Sequence, residues 1–171
     1  MTNLIIAGGD RRTRSIELTH RLTITPGPRR LITIPCEPPA TPPDDTTVIG
    51  VDDLDGALTL LDHTHGSGAL AIESVDYWCL GPSAPMPNPG NNPRIAAWNR
   101  RMVDAARKRA RFRHEMQQFT EREPGISILL AATSMDNAVR LLGEYPMGVS
   151  AIGCERVDLD TGRTLQPGFA S

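Results

Sequence analysis

Aromatic side chains are scarce in this sequence, with two Trp, two Tyr and three Phe among 171 residues. A core with so few rings must be aliphatic, and a binding hot spot or a base-stacking platform has few anchors to draw on. Lysine is almost missing: of eighteen basic residues only Lys108 is not Arg. Together with 15 Gly and 15 Pro, this bias is that of a GC-rich coding sequence, of actinobacterial or phage type. Cys36, Cys79 and Cys154 are odd in number, far apart and outside any CxxC spacing, so neither a disulfide framework nor a zinc site is signalled. No window reaches eighteen apolar residues, and MTNLIIAGGDRR has too short an apolar run for a signal peptide. The expected location is cytoplasmic, or a virion if the gene is phage-borne.

A hydrophobic fraction of 39% in a chain of this length is enough for one domain spanning residues 1–171. The formal charge of −2 argues against binding polyanions over the whole surface, although charge is unevenly spread. Residues 4–7 read as a short buried strand. The segment SIELTHRLTI (15–24) then alternates, with Ile16, Leu18, His20, Leu22 and Ile24 on one face, which predicts a half-buried strand. TPGPRR supplies a turn and LITIP a partner strand, so residues 1–36 are expected to hold a strand and a hairpin. Ten of the fifteen prolines fall within 35–45 and 81–93, which predicts extended straps.

An internal likeness sets the expected fold. Residues 46–76 align with 127–158, one residue being inserted after the helix, and both copies read strand, short helix, strand. Asp55 matches Asp136, Leu60 and Leu61 match Leu141 and Leu142, and Glu73 and Asp76 match Glu155 and Asp158. Asp53 and Ser134 take equivalent N-cap positions. With unit boundaries at 46–79 and 126–160, the expected class is α+β. It would be a ferredoxin-like sandwich of duplicated βαβ units with an N-terminal β-hairpin and one long inserted helix.

That helix is expected over 94–122, between Pro93 and Pro124-Gly125. Ile95, Trp98, Met102, Ala105, Arg109, Phe112, Met116 and Phe119 follow a three-four spacing, a seam with one charged interruption. Arg109 in a seam is costly unless a carboxylate meets it. Arg100, Arg107 and Arg111 lie opposite the seam, with Arg101 and Lys108 beside it. Residues 100–114 carry seven basic residues against one acidic residue before Glu115.

No catalytic constellation emerges. His63 and His65 in DHTHGSG would need a third ligand to hold a metal, and the corresponding loop of the other copy has no histidine. His20 reads as a core histidine. GGDRRTRS (8–15) combines a glycine turn with three Arg and could cradle phosphate, but it departs from GxGxxG and GxxxxGK[ST] and reads as the entry to the hairpin. Glu73, Asp76, Glu155 and Asp158 read as strand-end residues. The expected function is therefore a non-enzymatic interaction or assembly subunit, with a phage structural protein as one example. Ile95, Trp98, Met102, Phe112, Met116 and Phe119 would face self or other subunits. Arg100, Arg101, Arg107, Lys108 and Arg111 would meet an acidic partner. The alternatives are an Arg-mediated nucleic-acid binder and an enzyme using His63 and His65; no cofactor, metal or membrane is expected.

Overall fold

The computed structural model describes residues 3–34, 38, 40–79, 86–142 and 154–165. Cys36, parts of both proline-rich segments and the loop joining helix and strand in the second βαβ unit lie outside the described residues. The chain runs β1 (Asn3–Ala7), α1 (Arg11–Ile24), β2 (Arg29–Thr33), β3 (Thr46–Gly50), α2 (Leu54–Asp62) and β4 (Gly68–Ile72). A 3-10 turn (Tyr77–Cys79) leads to α3 (Asn92–Arg122), β5 (Ile126–Ala132), α4 (Met135–Leu142), β6 (Cys154–Asp158) and β7 (Arg163–Leu165).

The strands form one seven-stranded sheet in the order β3-β2-β4-β5-β1-β6-β7. All pairings are parallel except that of β6 with β7. The α+β content and the long helix match expectation, but among the described residues α1 stands where a hairpin strand was expected, and the sheet is mostly parallel, not that of a ferredoxin-like sandwich. Residues 15–24 are helical, and of the alternating positions only Leu18 and Leu22 also fit the helical period. Leu18 and Leu22, four apart, are buried with Arg14 and Ser15, while Ile16 and Ile24 face solvent. Asp10 starts the helix by accepting the Thr13 N–H at 2.7 Å, and Glu17 pairs with Arg21 one turn on.

The two expected βαβ units are present as β3-α2-β4 and β5-α4-β6, but neither pairs its own two strands. β2 lies between β3 and β4, and β1 lies between β5 and β6. Because β4 and β5 are covered on both faces, every residue in them is buried, giving unbroken apolar runs instead of alternation.

One face of the sheet packs against α1 through Leu4, Ile6, Leu18, Leu22, Leu31 and Leu129. The other, larger core joins Ile5, Ile32, Leu70 and Leu130 to α2, to α4 and to Phe112, Met116 and Phe119 of α3. A right-handed crossover places leftward and rightward connections on opposite faces, as found here. The chain leaves β1 over the α1 face toward β2 and leaves β5 over the opposite face toward β6. The connections therefore diverge at the carboxyl ends of β1 and β5, where open α/β sheets form a crevice. No helix among the described residues is long and apolar enough to cross a membrane.

Candidate functional site at the carboxyl edge of the sheet

The segment from Gly8 to Ser15 lies at this divergence, as the turn from β1 into α1. It is not a hairpin entry. Gly8 and Gly9 have φ of 81° and 61°, left-handed values that let the backbone reverse directly after the strand. The first turn of α1 carries Arg11, Arg12 and Arg14 and no acidic residue. Cations at the amino end of a helix oppose its dipole, and here the N-cap carboxylate of Asp10 and the Glu73 carboxylate on Arg11 offset them.

Arg14 is 7% exposed. Its Nη1 donates to the carbonyl oxygens of Gly8 at 3.1 Å and Gly9 at 2.5 Å. None of the ion pairs among the described residues includes it. The guanidinium is thus fixed by carbonyl dipoles, with the Asp10 carboxylate as an acidic neighbour within coulombic reach but not in a direct ion pair. Ser15, the next residue, is buried and its Oγ accepts the Ala40 N–H at 3.2 Å.

Two buried carboxylates stand at the exit of β4. Glu73 accepts Arg11 Nε at 3.2 Å and Nη2 at 3.3 Å, together with the Thr33 hydroxyl at 2.8 Å. Asp76 accepts the Thr133 N–H at 3.0 Å, the Thr133 hydroxyl at 2.5 Å and Asn137 Nδ2 at 2.8 Å. Between them Ser74 has φ of 52°, the one non-glycine residue with positive φ among the described residues. Backbone strain of this kind gathers where a loop must hold side chains in fixed directions.

Across the crevice Asp160, in the β6–β7 turn, accepts the Gly9 N–H at 2.8 Å. Asp158 fixes that turn, and its carboxyl is held below the usual range chiefly by the Thr161 hydroxyl. Asp10 is likewise lowered, first by the Thr13 N–H.

The residues singled out on α3 are placed differently. Phe112, Met116 and Phe119 are buried in the chain's own core, whereas Ile95, Trp98 and Met102 are half-buried. Arg100, Arg101, Arg107, Lys108 and Arg111 are exposed. Lys108 pairs with Asp104 at 3.1 Å and Arg111 with Asp55. Arg109 meets the Cys79 carbonyl oxygen at 3.0 Å, not a carboxylate. His65 Nδ1 lies 2.8 Å from Glu123, which also accepts the Gly66 N–H, and the Glu123 carboxyl is lowered first by His65. Among the described residues no three His, Cys, Asp or Glu side chains gather to hold a metal ion.

Sequence reasoning weighed 8–15 as a phosphate cradle and set it aside as a hairpin entry, passed over Asp160 and gave Glu73 and Asp76 no role. The available signal was the spacing of Gly8 to Arg14-Ser15 behind an apolar strand. It matches GxxxxGK[ST] at the first and last positions, with Thr13 where the second Gly would stand and Arg14 where the Lys would stand. No protein-family model and no curated protein sequence matches the chain.

Proposed function

We propose that the protein binds a phosphorylated small molecule of the nucleotide class, with its phosphate against the turn from Gly8 to Ser15. The observation carrying this reading is the buried Arg14 guanidinium, hydrogen-bonded to two loop carbonyl oxygens and in no direct ion pair among the described residues. A glycine turn opening a helix behind a central parallel strand is the local structure that cradles phosphate. Arg in place of Lys suits it, because the planar fork can hold loop carbonyls with one nitrogen and phosphate oxygens with others. Glu73 and Asp76 are already satisfied by protein donors, so the reading is of binding and does not extend to phosphoryl transfer.

Equilibrium dialysis with labelled ATP and GTP tests it. Binding should weaken at least about tenfold in Arg14→Met, the size expected for one charge-assisted contact, and should largely return in Arg14→Lys. Absence of binding to wild-type protein, or indifference to Arg14, would overturn the reading.

A second reading, as an assembly subunit, keeps one observation in its favour. The first half of α3 sinks no side chain fully before Ala105, Ile95, Trp98 and Met102 are half-buried there, and Val103 is exposed. Light scattering across a concentration series tests this reading, and a monomer at every concentration would count against it.

A further inference from the structure

We infer that Asp160 occupies a phosphate position on the Gly8-Gly9 turn, so that ligand and carboxylate compete for the same N–H. The inference rests on the phosphate-binding reading above. Asp160 Oδ1 accepts the Gly9 N–H at 2.8 Å although 151 residues separate the two in sequence. The carboxylate also presses on the turn, because a Cβ added at Gly8 would stand 2.4 Å from Asp160 Oδ2. At Gly8 φ disfavours a side chain, and the carboxylate, at the end of an exposed side chain, would have to turn aside for one.

The position of Asp160 is built into the fold. Asp158 accepts the N–H groups of Asp160 at 3.0 Å and Thr161 at 3.4 Å and the Thr161 hydroxyl at 2.7 Å, closing the β6–β7 turn. The Leu159 N–H donates to the Ala7 carbonyl oxygen at 2.8 Å, docking the turn beside the end of β1. The opposite side of the glycine turn is taken by Arg14, on the Gly8 and Gly9 carbonyl oxygens. The carboxylate therefore sits where an N–H of the phosphate-binding turn points outward. A carboxylate oxygen and a phosphate oxygen accept such a donor in the same way, and one position holds one of them. Asp160 is itself exposed, so releasing it returns the carboxylate to water.

Calorimetric titration with inorganic pyrophosphate, on wild-type protein, Asp160→Ala and Asp160→Asn, separates the possibilities. Competition predicts tighter binding in both variants. The gain should be about tenfold for Ala, equivalent to one charge-assisted hydrogen bond, and smaller for Asn, whose side-chain oxygen can still accept from Gly9. Binding by the variants alone, with none by wild type, supports the inference equally. A bracing role for Asp160 predicts the reverse, with weaker binding in Ala and recovery in Asn, and either that result or unchanged affinity overturns the inference while leaving the phosphate reading intact. Silence from all three proteins, with folding verified by circular dichroism, removes both. In a variant that binds, adding Arg14→Met should weaken binding at least about tenfold; unchanged affinity would place pyrophosphate elsewhere and overturn the inference.

Discussion

Arginine in this protein repeatedly closes the carbonyl end of a helix. Arg29 donates to the carbonyl oxygens of Leu22 and Thr23 at the end of α1, and Arg122 to that of Leu61 in the last turn of α2. Arg113 reaches those of Arg140 and Leu141 in α4, and Arg109 that of Cys79 in the 3-10 turn. Unpaired terminal carbonyls carry the negative end of the helix dipole, so these cations do structural work that a count of charges does not reveal. Arg113→Ala should cost about 1 kcal/mol in urea unfolding, and Arg100→Ala, on an exposed stretch, close to none. A second residue-scale expectation concerns Cys79. Burial pushes its thiol up to about 11 from the ordinary 9.0, against the opposing pull of Arg109 and Lys108. The folded chain then keeps a proton that the unfolded chain gives up, so stability present below pH 9 is lost as pH rises toward 11. The loss attributable to this thiol is about 2 to 3 kcal/mol, and Cys79→Ala should remove that part of the slope in unfolding curves taken from pH 8 to 10.5.

At the scale of elements, the long helix was legible because nearly every one of its signals agrees. Asn91 and Pro93 open it, the three-four spacing runs through it, and Pro124 follows it. In α1 two periods compete for the same letters. The alternation from Ile16 to Ile24 concealed the pair Leu18 and Leu22, and the decisive signal was Asp10, whose N-cap bond to Thr13 a strand would not need. Asp10→Ala should therefore cost about 1 kcal/mol of stability, measurable by thermal or urea unfolding. The start of β4 is more sharply constrained. Gly68 has φ of 117°, and a Cβ there would stand 2.1 Å from the Pro28 carbonyl oxygen, a backbone atom with no side-chain torsion to relieve the clash. Gly68→Ala should cost more than about 3 kcal/mol or prevent folding, read as loss of the cooperative transition.

For the whole molecule, local pattern gave the order strand, helix, strand for β3-α2-β4 and β5-α4-β6 but could not give the neighbours of those strands. Leu4 lies beside Leu129 and Glu155, and nothing in the spacing of residues 1–24 encodes a partner more than a hundred residues away. The candidate site was hidden for the same reason. Gly8–Ser15 is an imperfect motif when read alone, and it gains meaning only when β1 becomes a central parallel strand and the loops after β4, β5 and β6 converge beside it. The basic side chains of α3, the most conspicuous feature of the sequence, serve in part as caps and in part in the pairs of Arg111 with Asp55 and Lys108 with Asp104. The most direct test of the phosphate site is the backbone amide spectrum of ¹⁵N-labelled protein during titration with pyrophosphate. Saturable shifts concentrated at Gly8, Gly9, the first turn of α1 and Asp160 are the expected result. Shifts spread along residues 100–111, or none at the Gly8-Gly9 turn, would contradict it.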